Sequence, residues 1–188
     1  MTASINLTDH FLIAMPALED SCFDKCLIYV AEHNDHGALG VIVNRPIEMM
    51  TLSNLFQRIE LPIEVGNVGD LPVFFGGPVQ TERGFVLHRP LGKWQATLAI
   101  NAEIGLTTSR DVLQSAGRAG YPSDMVVALG YSGWAGGQLE YEIGQNAWLT
   151  VRADPRILFD LPYEERLASA LELLGVGPTN LIMQAGHA

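Results

Sequence analysis

Glu32, His33, Asp35 and His36 crowd five positions, and imidazole and carboxylate groups are the usual ligands of divalent metals. Between two apolar runs the same residues make a polar hairpin turn. With no second His/Asp cluster nearby in sequence, the solvated turn is the expected reading. Asn44-Arg45-Pro46 offers a guanidinium that can grip a carboxylate or phosphate through two hydrogen bonds. It equally reads as a strand end with Arg45 paired to an acidic neighbour, and that is expected. In a straight hairpin Glu32 and His33 sit at the loop end and Asn44 and Arg45 at the open end, roughly 20 Å away. One compact site does not hold both. Gly76-Gly77-Pro78 is a tight turn whose backbone also admits a close ligand. His88 closes an apolar strand as either a general base or, as expected, a hydrogen-bonded strand end.

The segment from Gly130 to Gly137, GYSGWAGG, joins a buried strand to a helix starting near Gln138. Such a junction turns unpaired amides and the positive end of a helix dipole towards an anion. It has neither the Walker lysine nor the GxGxxG spacing of a nucleotide site. The expected reading is a glycine-rich crossover, with Gly130 and Gly133 bending the chain, Trp134 anchored in the core and Glu140 steadying the helix start. Ser132 lies in GYSGW, which is not a nucleophile elbow because position 134 is Trp where GxSxG needs Gly. No catalytic residue, cofactor or metal is assigned.

Composition narrows the partners. The chain has 188 residues, 48% of them apolar and 17% charged, enough for one packed domain over 1–188. Its 21 acidic and 11 basic side chains give a formal charge of −10, a field that repels phosphate backbones and anionic membranes. Direct nucleic-acid binding is not expected. The apolar run Phe11 to Leu18 is too short to span a bilayer, is broken by Pro16 and lacks the basic flank of a signal peptide. The expectation is a cytoplasmic protein without membrane contact. Cys22 and Cys26, four apart at the entrance to a strand, match no redox or zinc spacing and read as inert thiols.

The elements that position these residues follow from periodicity. The runs 26–31 and 39–43 are short, β-branched and apolar on both faces, so they pair as an antiparallel hairpin around 33–37. In 51–59, Leu52, Leu55, Phe56 and Ile59 share a helical face behind Thr51 as N-cap, and Pro62 bars continuation. Further strands are predicted at 72–75, 83–88, 94–100 and 125–131. A second helix starts after Thr108 or Ser109 and ends near Gly117. A third follows Pro162, with Leu167, Ala170, Leu171 and Leu174 in one stripe, Gly175 as stop and Pro178 beyond. Strands outnumber helices without alternating with them. This predicts an α+β fold with a mixed, mostly antiparallel sheet.

Several uncommon strings recur in one order along the chain: FLIAMPAL at 11–18, YVAEHNDHGALGVIVNRP at 29–46, FFGGPV at 74–79, GFVLHRP at 84–90, TTSRDVL at 107–113, LGYSGWAGGQLEYEI at 129–143 and NAWL at 146–149. Together they resemble the YqgE/AlgH family of bacterial proteins. Ser132, His36 and Leu167 depart from its pattern. The resemblance implies a flattened, barrel-like β core with flanking helices, an association with regulation of alginate production, and no established activity. The sequence carries no helix-turn-helix signature or basic recognition helix. The reading is a non-enzymatic regulatory or adaptor protein that acts on transcription indirectly, with protein as its partner. The alternative is an enzyme that binds a small molecule or anion at 130–137.

Overall fold

The computed structural model describes residues 5–175. In chain order the strands are β1 (His10–Ala14), β2 (Leu27–Asn34), β3 (Gly37–Ile42), β4 (Pro46–Thr51), β5 (Pro72–Phe75), β6 (Val79–Arg89), β7 (Thr97–Ala99), β8 (Gly105–Thr107), β9 (Asp124–Ala135) and β10 (Trp148–Arg152). The helices are α1 (Leu52–Arg58), α2 (Asp111–Ala119), α3 (Gln138–Gly144), α4 (Pro155–Phe159) and α5 (Tyr163–Leu173). Two compact units result: one of the residues up to Asn44 with those from Ser132 onwards, the other Arg45–Tyr131.

In the first unit β10, β1, β2 and β3 pair antiparallel in that order, and the last residues of β9 pair with β3. The predicted hairpin is present. Asn34 and Gly37 close it around Asp35-His36, where the Asn34 side chain accepts the His36 N–H at 2.8 Å. Phe11–Ile13, Cys26–Ala31 and Val41–Val43 are buried, which is why these runs are apolar on both faces. β1 and β10 were not anticipated as strands. The three buried residues of β1 have no polar alternation to reveal an extended chain.

α5 packs against β1 through its Ala170 and Leu171 face. Arg166, outside the predicted stripe, is buried with them and donates to the carbonyls of Val43 at 2.6 Å and Leu161 at 3.3 Å. Burial pulls its guanidinium down to about 10, with Glu164 opposing. Gly175 takes φ +71° beyond the helix end, as a stop requires, and Pro178 lies outside the described residues. Cys22 is exposed in turns before β2, and the buried Cys26 thiol lies 3.7 Å from the Cys22 carbonyl. The chain turns between the two cysteines, which are not spaced along a strand.

In the second unit the first part of β9 lies between β6, antiparallel, and β5, parallel. β8 adds to β6, β7 to β8 and β4 to β5. β5–β9 is the one parallel pair among the described residues, so the α+β, mixed and mostly antiparallel expectation holds. Strands appear at all four predicted places, with β6 starting earlier, β7 shorter and β9 running on to Ala135. α1 has its Thr51 cap in a capping box, the Thr51 N–H donating to Asn54 at 2.8 Å.

α2 differs from its predicted bounds at both ends. It starts at Asp111 and runs past Gly117 to a stop at Gly120, φ +63°. Gly117 is small for packing: a Cβ there would stand 2.5 Å from the Pro62 carbonyl oxygen and 2.7 Å from the Phe56 ring. Ser109 does not cap the helix. Its hydroxyl binds the Asp111 carboxylate at 2.5 Å and accepts the Ala96 N–H at 3.0 Å. Leu52, Leu55 and Phe56 of α1 and Val112 and Leu113 of α2 form one core with Val73, Val86 and Val127 of the sheet.

Gly76 and Gly77 of the GGP string meet Leu129 and Gly130 in this unit. Gly76 donates its N–H to the Leu129 carbonyl at 2.9 Å, and a Cβ on Gly76 would lie 2.3 Å from the Gly130 carbonyl oxygen. Gly130, at φ +78°, would place a Cβ 2.3 Å from the Gly77 carbonyl oxygen. Two backbones thus touch where neither tolerates a side chain. Gly130→Ala should cost about 3 kcal/mol of stability from clash and strain together. Gly137 has the same φ of +78° but no atom within 4 Å of an added Cβ. Gly137→Ala should cost about 1 kcal/mol, the strain alone. Urea denaturation of both variants checks the ordering, and equal losses contradict the close approach.

Candidate functional site

The candidate residues fall into four groups. In the first unit His33 bonds Glu140 of α3, and Trp134 and Gln138 bond Glu142 of the same helix. Consecutive strand residues face opposite sides, so Glu32 points out to an Asn34 contact at 3.3 Å while His33 points in. His33 accepts the Leu7 N–H on Nδ1 at 3.0 Å, which leaves the proton on Nε2 to donate to the Glu140 carboxylate at 2.8 Å. Glu140 lies in the first turn of α3, where its charge suits the helix start as expected, and it serves the strand histidine as well. Of the polar group at 32–36, Glu32 and His33 face opposite sides of β2, and Asp35 and His36 form the turn itself.

Trp134 is buried, as expected, and donates its indole N–H to Glu142 Oε2 at 2.9 Å. Trp148 donates to the same oxygen at 2.8 Å, and Gln138 donates to Glu142 Oε1 at 3.0 Å while accepting the Ala135 N–H at 3.0 Å. The indoles meet edge to face at 5.9 Å. Residues 130–135 are strand rather than crossover, and Gly136-Gly137 alone turn the chain into α3, which starts at Gln138 as expected. The chain stays in β9 through Ala135, Gly133 lies opposite Leu39, and the fully buried Ser132 lies opposite Gly40. Alternation along a strand with a glycine at every third or fourth place is hard to tell from a loop by composition.

At the other end of the hairpin Asn44 accepts the Leu27 N–H at 2.9 Å and donates to the Lys25 carbonyl at 2.9 Å. It braces the entry of β2 against the exit of β3. Deeper in the same unit, Tyr29 donates to Asp9 at 2.7 Å and Arg152 reaches that carboxylate at 3.4 Å. Burial, that hydrogen bond and the Asp9 charge hold the Tyr29 hydroxyl well above its ordinary range.

In the second unit Arg45 offers its carbonyl to the Phe75 N–H at 2.8 Å, next to the buried Gly76 and Gly77; Pro78 is exposed. His88 stands apart from these. It is fully buried under Trp94, ring centroids 4.7 Å apart. Its Nδ1 donates to the Pro90 carbonyl at 3.0 Å, so in the neutral ring Nε2 accepts the Thr107 hydroxyl at 2.7 Å. Thr107 in turn lies 2.7 Å from the Thr97 hydroxyl. Sequence reasoning missed Glu142, Trp148, Thr97 and Thr107. Three of them sit inside the recurring strings, Glu142 in LGYSGWAGGQLEYEI, Trp148 in NAWL and Thr107 in TTSRDVL, but nothing in a string says that its Trp and its neighbour's Trp share one acceptor.

Among the described residues no three His, Cys, Asp or Glu side chains gather to hold a metal ion, and no helix is long and apolar enough to cross a membrane. The geometry is that of an α+β protein whose motif side chains are bonded to one another inside the fold. The AlgH-like family model matches residues 11–179, and the chain belongs to that family. It is 60% identical to a UPF0301 protein of Dechloromonas aromatica over 98% of this chain and 99% of that one, and 58% identical to one of Azoarcus sp. over 100% and 99%. The solution structure of the AlgH protein from Pseudomonas aeruginosa has 44% identity and a TM-score of 0.79 over 100% of this chain and 99% of that one. A crystal structure from Corynebacterium diphtheriae shares the fold at 16% identity, with a TM-score of 0.65 over 92% of this chain and 89% of that one.

Burial pulls the His88 imidazole below the ordinary histidine range, with the Pro90 hydrogen bond opposing. As pH falls below about 6.5 the unfolded chain therefore takes up this proton before the folded one does, and stability declines. His88→Gln should flatten the decline in urea midpoint between about pH 7.5 and about pH 5.5. An unchanged slope in the variant contradicts the assignment.

Proposed function

We propose that this chain is a non-enzymatic regulatory or adaptor protein of the cytoplasm that works through a protein partner and reaches transcription indirectly. The observation that supports this most is how its chemically capable side chains are used. His33 is held between Leu7 and Glu140, His88 between Pro90 and Thr107, and Glu142 between two indoles and an amide. Each of these groups is bonded to partners within its own unit. The formal charge of −10 favours a protein partner over a phosphate backbone.

Strand β4 supplies a surface of the right kind. Among the described residues it pairs with β5 alone, leaving its other edge open. Met49 sits there at φ +57° and 92% exposed, while Ile47 and Met50 pack towards the core. A flexible, polarisable thioether beside an open strand edge suits an apolar side chain on an incoming strand.

Affinity capture from the native host with wild type and Met49→Lys side by side tests this reading. The partner retained by wild type should be depleted about tenfold by Met49→Lys at unchanged melting temperature, a loss typical of an apolar anchor. A promoter complex that survives competitor DNA at physiological salt contradicts the indirect mode of action, and equal capture by both proteins contradicts the β4 surface.

A further inference from the structure

We propose that the Arg45–Tyr131 unit holds a binding site for a small carboxylate whose apolar body is about the size of one six-membered ring. The site is a cavity of about 200 Å³. Its apolar walls are Leu55 and Ile59 of α1 with its C-terminal cap, Val86 of β6, Leu113 of α2 and Leu129 of β9. Apolar cavities of about 150 Å³ accept a benzene ring, so the volume fits a ring or a branched chain of similar bulk.

Gly84 is the reason the space is open. It lies in β6 opposite Leu129, and period-two alternation puts it on the same face as Val86, which packs with Leu55 and Leu113. Its φ is outside the left-handed region, and an added Cβ would meet nothing within 4 Å. Neither backbone angle nor close packing calls for glycine here, unlike at Gly76 and Gly130. Glycine weakens a strand, and in a strand interior it commonly marks the close approach of another group. The missing side chain leaves the cavity unfilled.

The mouth determines the head group. The approach to α2, Thr108-Ser109-Arg110, lines it together with Glu82. The Ser109 hydroxyl is held by Asp111 and Ala96, and that of Thr107 by His88 and Thr97, so neither is spare for a ligand. Arg110 donates one nitrogen to the Ile59 carbonyl. Arg83 holds Thr108 at 3.0 Å and lies over the Phe85 ring. Among the described residues neither guanidinium has a carboxylate partner, in a chain with almost twice as many acidic as basic groups. A carboxylate at the mouth meets the free donors of Arg110 while its ring enters the apolar space. This inference is independent of the partner reading above.

Titration calorimetry with benzoate, and with benzyl alcohol as its neutral counterpart, tests the site on the full chain. Wild type should bind benzoate saturably and more tightly than benzyl alcohol. Gly84→Leu should weaken both ligands about tenfold or more while the unliganded melting temperature stays the same or rises. Arg110→Gln should weaken benzoate about tenfold and leave benzyl alcohol within about twofold, and Arg110→Lys should recover part of the loss. Methyl NMR of wild type gives a check that needs no variant: benzoate should shift the Val86, Leu113 and Leu129 methyl signals. Absence of saturable binding by about 10 mM ligand, where even a weak fragment registers, overturns the site. So does benzoate affinity untouched by Gly84→Leu, or methyl shifts confined to other residues. Equal affinity for the two ligands overturns the carboxylate head group.

Discussion

The half-buried carboxylate of Glu142 accepts the indole N–H groups of Trp134 and Trp148 on one oxygen and the Gln138 amide on the other. Each indole belongs to a different strand, and the carboxylate belongs to the helix between them. A charge-assisted hydrogen bond contributes about 1.5–3 kcal/mol, and a buried indole N–H without an acceptor costs about 1–3 kcal/mol. Glu142 sits in the last turn of α3, where a negative charge opposes the helix dipole by about 0.3–1 kcal/mol. The two indole bonds outweigh that penalty. The first unit thus places an acid where helix preference alone would not, and the end of β9, α3 and the start of β10 are held as one piece. Phe23 extends the aromatic packing, its ring 5.6 Å from that of Trp148.

Glycine plays three distinct parts in this chain, and their difference bears on function. At Gly76 and Gly130 two backbones touch, so the glycines are required by space. At Gly137 and Gly175 the backbone angle is the requirement and the surroundings are open. At Gly84 neither applies, and the absent side chain corresponds to empty volume beside Val86 and Leu129. Only the third kind points beyond architecture.

The strands and helices with strong periodicity were legible in the residues. The β2–β3 hairpin, α1 behind Thr51 and the β5, β6 and β9 segments lie where apolar runs and turn residues place them. β1, β4, β8 and β10 were not legible: each is three to six residues long, and its pairing is decided by a partner distant in sequence. α2 was misjudged at Gly117 because a packing glycine and a stopping glycine look alike in a sequence. The 130–135 segment was misread for a related reason, since glycines that permit close strand contact imitate a loop. The site residues were legible as types but not as partners. His33 and Trp134 stood out, whereas the partners of Glu140 and Glu142 emerge only when α3 packs beside β2, β9 and β10 of its unit.

The family's motif side chains bind one another and thereby build the fold. Hydrogen exchange of the indole Nε1–H protons, followed in proton–nitrogen NMR spectra, tests it most directly. Trp134 and Trp148 should exchange slowly in wild type, and Glu142→Ala should accelerate both together and lower the melting temperature. Indole protons that exchange at solvent-exposed rates in wild type, or that are unaffected by Glu142→Ala, would contradict it.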